Sequence, residues 1–128
     1  MKKIENFRSA LSNLKDVNRY EEPYDNVVLT GLVGLYEICF EQAWKAMKYV
    51  LELNGIPEAA TGSPRSIIKS AFRVGLITDE QLWLDALASR NNVSHAYNQS
   101  IALDIIRRTR SSYIAMFEAL DAALERNL

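Results

Sequence analysis

The sequence is short of the residues that most often carry chemistry. Its 128 residues include one cysteine, Cys39, and one histidine, His95. A lone cysteine excludes an intrachain disulfide and any cysteine-based zinc cluster. A lone histidine excludes a multi-histidine metal site within one chain. Histidine-dependent catalysis therefore runs through His95 or not at all. No motif asks for a metal ion or an organic cofactor. Charge of one sign is also lacking, since 15 Lys and Arg face 16 Asp and Glu, for a formal net charge of −1. That balance argues against wholesale non-specific nucleic-acid binding and leaves a local basic patch open. Long apolar runs are missing too. The longest, Val27 to Tyr36, is closed by Glu37. It is too short for a bilayer, which needs about 20 residues. Glu5, Arg8 and Lys15 interrupt any signal-peptide core. The expectation is a cytoplasmic protein without membrane association, with Cys39 as a buried structural thiol.

What the sequence does have is core. Hydrophobic residues make up 48% of it, over a length that fits a single domain, residues 1–128. A chain this size buries roughly two-thirds of its unfolded surface. The apolar periodicity is helical throughout. Ile4, Phe7, Leu11 and Leu14 predict a first helix over about Lys2–Val17. Asn18–Asp25, with Pro23, reads as a connection. A long second helix follows, over about Asp25–Asn54. Its positions Glu37, Glu41, Lys45, Lys48 and Glu52 form one polar stripe, with Glu41–Lys45 and Lys48–Glu52 spaced to pair. The apolar surface around that stripe is wider than one core-facing seam requires, which points to burial, a dimer contact, or both.

Asn54-Gly55 and Pro57 end that helix. Ser63-Pro64 caps and opens a third, with Ile67, Ile68, Ala71 and Phe72 inward and Gly75 at its end. Thr78 to Gln81 fits a capping box opening a fourth. Leu82, Trp83, Ala86 and Leu87 are its buried side. A fifth runs from about Gln99 to Arg126, with Leu103, Ile106, Tyr113, Phe117, Leu120 and Leu124 inward. No strand pattern or repeat occurs. The fold class is all-α, an up-and-down four-helix-type bundle of five helical segments.

Between the last two helices lies Arg90-Asn91-Asn92-Val93-Ser94-His95-Ala96-Tyr97. On an unbroken helix Arg90 and His95 would sit roughly 140° apart, too far to serve one site. A kink would change that. Asn91 and Asn92 tolerate a left-handed helix end, and Ser94 can cap a new start. Arg90, His95 and Tyr97 would then turn toward one cleft. The plainer alternatives are a packed or capping His95 and a Tyr97 packed on the kink.

Arg-x4-His-x-Tyr late in an all-α bundle resembles the signature of HEPN domains. The segments FEQAWKAMKYVLELNG, SPRSIIKSAFRVGLI and LWLDALASRNNVSHAYNQ are similar, in that order, to the HepT-like proteins, also known as nucleotidyltransferase substrate-binding proteins. The resemblance runs over essentially the whole chain. It implies a homodimer, a separate minimal nucleotidyltransferase as partner, and a cleft at the dimer interface. In the toxin branch that cleft is a metal-independent ribonuclease. Carried over, Arg90 and His95 would be catalytic and Asn91 and Ser94 supporting. Tyr97 matches the position the partner modifies with AMP.

The residue types suit that chemistry. Cleavage of RNA by its own 2′-hydroxyl needs a proton acceptor and a proton donor near neutrality, the range of histidine. It also needs a cation matched to phosphate, for which the guanidinium fork is better than lysine. Arg65, Lys69 and Arg73 form a basic stripe that could bind RNA or simply be solvated; Arg107, Arg108 and Arg110 invite the same two readings. Glu37 and Glu41 read as an exposed helix face. Two functions stand open: a ribonuclease toxin, or a non-catalytic adaptor that binds a nucleotidyltransferase and its substrate.

Overall fold

Ile4, Phe7, Leu11 and Leu14 face one way, and the chain winds into α1 over Lys2–Leu14, burying all four. The computed structural model describes residues 1–128. A 3-10 turn, Lys15–Arg19, extends α1 and buries Val17. The long α2, Asn26–Leu53, starts where Asp25 accepts a hydrogen bond from Val28 N at 2.8 Å. It is the central element, packed against every other helix. It stops at Gly55, whose φ of 78° lets Ile56 N reach back to Leu51 O at 3.0 Å.

α3, Pro64–Arg73, opens with a reciprocal cap between Ser63 and Ser66. Gly75, at φ 82°, turns the chain back after it. Leu76 and Ile77 are buried beyond that turn, whereas Phe72, expected on the inner face, is 43% exposed. The turn folds two apolar side chains over the core where the last turn of α3 would have needed one.

α4, Glu80–Asn91, is capped one residue later than the sequence suggested: Asp79 Oδ1 accepts from Leu82 N at 3.0 Å. A carboxylate at a positive helix end outcompetes the neutral Thr78 hydroxyl. Gln81, the expected far side of a capping box, donates to Asp85 Oδ1 at 2.9 Å instead.

The last rod is α5, Gln99–Arg108, joined through a π-helical turn, Thr109–Tyr113, to α6, Ile114–Arg126. A uniform helix was expected. Ile105, Thr109, Tyr113 and Phe117 are each four apart, a row that drifts about 40° per step on an α-helix. The wider turn takes up the drift, and all four are buried. Thr109 Oγ1 is satisfied by donating to Ile105 O at 2.7 Å.

The result is an all-α four-helix-type bundle of five helical rods. Its centre is aromatic. Trp83 meets the Phe117 ring edge-on at 5.5 Å, and Tyr36 stacks on Tyr113 at 5.3 Å. Cys39 is fully buried there, and burial pushes its thiol pKa up, away from the reactive thiolate. α1 is tied to α6 at the surface by Arg8, which bonds Asp121 at 2.7 Å and also meets Glu125. No helix is long and apolar enough to cross a membrane.

Candidate functional site

The break between α4 and α5 is real, but it is built differently from the expected left-handed end. Asn92 has φ −87° and ψ −3°, and no non-glycine residue has positive φ. A 3-10 turn, Val93–His95, follows α4 directly. His95 N bonds Asn92 O at 2.9 Å, Ala96 N bonds Val93 O and Asn98 N bonds His95 O, each at 3.0 Å. At the end of α4 itself, Asn92 N bonds both Ala88 O and Ser89 O at 3.1 Å, so a tightened last turn serves those carbonyls without a left-handed residue. Ser94 is exposed and caps nothing. Asn98 caps α5, its Oδ1 accepting from Ser100 N at 3.0 Å. A side-chain acceptor adjacent to the first turn is better placed than one four residues earlier.

The end of α4 is fastened before it breaks. Tyr36 donates from its buried hydroxyl to Ala86 O. Ser89 Oγ and Tyr113 Oη are 2.8 Å apart, also in the core. Burial, reinforced by the neighbouring Tyr113, raises the Tyr36 phenol pKa. Arg90 is the next residue out. It forms an ion pair with Glu41 of α2, with only 30% and 26% of the two side chains exposed. Glu41 also accepts from Trp44 Nε1 at 3.1 Å. Arg90 Nη1 donates to Asn91 Oδ1 at 3.2 Å. The predicted Lys48–Glu52 pair forms at 3.5 Å. Glu41 does not join the solvent stripe, because Arg90 reaches it across the helix interface.

Beyond Arg90, the turn lies over the first half of α2. Asn26, Thr30, Val33, Gly34 and Glu37 form one wall of an open groove of about 470 Å³, and Val93, Ala96 and Tyr97 form the other. Thr30, Gly34, Glu37 and Glu41 follow one another at helical spacing, so the groove and the Arg90 pair lie along one ledge of α2. Tyr97 is 88% exposed. The His95 and Tyr97 rings meet edge-on, 6.4 Å between centroids. His95 is exposed and is not part of the groove wall. Thus the turn brings His95 to Tyr97 and Tyr97 to the ledge, while Arg90 is held at the ledge's far end and makes no bond to His95.

Residues 2–126 match the family described as nucleotidyltransferase substrate binding protein like. The chain belongs to that family. It is 27% identical over 104 residues to a protein of Haemophilus influenzae named probable ribonuclease HepT, a match covering 80% of this chain and 71% of that protein. A solved Thermus thermophilus protein is 30% identical, with a TM-score of 0.80, over 94% of this chain and 99% of that one. A solved Haemophilus influenzae protein, described as having the fold of a substrate binding domain of a nucleotidyltransferase, shares the fold. Its TM-score is 0.81 at 21% identity, over 95% and 98% of the two chains.

In this HepT-like chain the basic stripe of α3 is partly neutralised. Arg73 pairs with Glu58 at 3.2 Å and Lys69 lies 3.9 Å from Glu80, leaving Arg65 without an acidic partner. The α5 arginines are engaged as well. Arg107 forks onto Glu22, a bond that also holds the Glu22 carboxyl below its usual range. Arg108 bonds Asp104 at 3.0 Å, and Arg110 bonds Tyr20 O and Tyr24 Oη, each at 2.9 Å. Sequence reasoning set aside Glu41 and did not single out Asn26 or Thr30. The available signal was Trp44, three residues after Glu41 and able to fix its carboxylate.

Proposed function

We propose that this HepT-like protein is the ribonuclease toxin of a two-gene system, a cytoplasmic homodimer held in check by a separate minimal nucleotidyltransferase. The observation that carries this reading is the 3-10 turn after α4. It presents His95 to solvent beside Tyr97, while Arg90 is anchored on the same ledge of α2. The name of the Haemophilus influenzae relative points the same way. In the proposed reaction the RNA 2′-hydroxyl gives up its proton and attacks the adjacent phosphorus. The 5′-oxygen leaves and takes a proton, giving a 2′,3′-cyclic phosphate and a 5′-hydroxyl end. His95 serves one or both proton transfers, and Arg90 meets the charge that rises on the phosphoryl oxygens. Asn91 and Ser94 support the turn, and Arg65, Lys69 and Arg73 guide the strand. No step calls for a metal ion.

The exposed face of α2 supports a dimer. Val27 and Ile38 are 80% and 55% exposed, and Gly31 and Gly34 fall between them at helical spacing. A Cβ added at either glycine meets nothing within 4 Å, so their smallness serves no contact inside the chain. A twofold partner on this face would bring two ledges together and place two copies of Arg90 and His95 in one cleft. Silencing would occur at Tyr97. Its exposed phenolic oxygen attacks the α-phosphorus of ATP on the partner enzyme, and pyrophosphate leaves. The attached AMP adds bulk and negative charge next to His95.

The test is cleavage of single-stranded RNA by the purified protein in EDTA. The wild type should cut, and His95→Ala should not. Cutting that survives His95→Ala removes the assigned role. Incubation with the partner enzyme and ATP should add one or more AMP groups, and Tyr97→Phe should block the addition. The second reading, a non-catalytic adaptor, is favoured by the family's description as a substrate binding protein. It gains if no RNA is cut while the nucleotidyltransferase binds tightly.

A further inference from the structure

We propose that Glu41 is the positioning residue for Arg90, a role that rests on reading Arg90 as the cation that meets phosphate. The guanidinium is gripped at both ends. Nη2 faces Glu41 Oε1, and Nη1 donates to Asn91 Oδ1 at 3.2 Å. Glu41 is itself fixed, because its Oε2 accepts from Trp44 Nε1 at 3.1 Å. Oε1 is shut off from solvent and accepts no hydrogen bond, so its compensation is the charge of Arg90. The sequence Trp44–Glu41–Arg90–Asn91 therefore crosses from α2 to the last turn of α4 without a free joint.

That arrangement does more than neutralise charge. A free arginine loses rotamer entropy when it is immobilised. Here the fork is held between a carboxylate and an amide, with N–H groups to spare, since a guanidinium carries five and the Asn91 bond uses one. The carboxylate also offsets the cation in the resting state. A ground-state phosphodiester, with one negative charge, is then held no more tightly than it needs to be. The oriented donors remain for the greater charge of the transition state. Glu41 thus favours turnover over binding, which is the opposite of what an added cation would do.

Four variants test this: Glu41→Gln, Glu41→Asp, Trp44→Phe and Arg90→Lys. With single-stranded RNA, Glu41→Gln should lower kcat by roughly 100-fold, the cost of a misplaced catalytic group, while KM stays equal or falls. Trp44→Phe removes the N–H together with part of the ring and should move kcat the same way by less. Glu41→Asp, which keeps the charge, should recover part of the loss. A Glu41→Gln protein with wild-type kcat, or one whose loss lies wholly in a raised KM, overturns the proposal and leaves the ribonuclease reading intact. A wild type that cuts no RNA sinks that reading instead. Positioning is then decided by 15N NMR of the guanidinium, assigned through Arg90→Lys. Separate Nη signals should appear in the wild type and merge in Glu41→Gln. Signals merged in both, or separate in both, overturn it.

Discussion

Tyr113 carries a hydroxyl into an aromatic core, where an unmatched oxygen would be costly. Ser89 matches it at 2.8 Å. The pair is buried and joins the π turn to α4 one residue before Arg90. Tyr113→Phe leaves the Ser89 hydroxyl in the core without its partner, and should cost about 1–3 kcal/mol in urea unfolding. Ser89→Ala together with Tyr113→Phe should recover much of that loss, because both ends of the bond are then gone. A double variant as unstable as the sum of the single ones would show that the bond is not the cause. The arginines make a different point at this scale. Type alone did not separate them in the sequence. The structure gives Arg107 a carboxylate fork and Arg110 a carbonyl and a phenol, and it sets Arg90 between Glu41 and Asn91.

At the scale of elements, local signals were reliable where the chain has one strong acceptor and loose where it has several. Ser63-Pro64 opened α3 as the sequence indicated. At α4, Thr78 and Asp79 competed, and the charged acceptor won. Asp79→Ala should therefore cost about 1 kcal/mol of stability, while Thr78→Ala should cost little. Chemical denaturation of the two variants side by side decides it, and the reverse order would return the cap to Thr78. The π turn of the last rod was not legible, because apolar positions four apart suit an α-helix well enough over any two turns. Only the accumulated drift over Ile105, Thr109, Tyr113 and Phe117 demands the extra residue.

At the scale of the whole molecule, α2 has two contrasting sides. Its inner side is filled by the bundle, and its outer side presents Val27, Gly31, Gly34 and Ile38. Ile38→Glu places a charge on that outer face without touching the core. In sedimentation velocity at micromolar concentration the wild type should run as a dimer and Ile38→Glu as a monomer with unchanged helical content. A wild-type monomer would remove the shared cleft, and with it the pairing of two His95 side chains. A variant that stays dimeric would move the interface elsewhere.

The sequence by itself determined the helical class, the number of rods, the buried Cys39 and the position of the break after Arg90. Each of these depends on periodicity or on neighbours within one or two turns, so each can be read along the chain. The tertiary structure decided the partners. Arg90 meets Glu41 forty-nine positions earlier, and Tyr113 meets Ser89 twenty-four positions earlier. Neither contact leaves a local trace, because each forms only when two helices pack with a particular faces-inward rotation. For the same reason Glu41 looked like one more solvated carboxylate. Packing shut its Oε1 off from solvent and set it against Arg90.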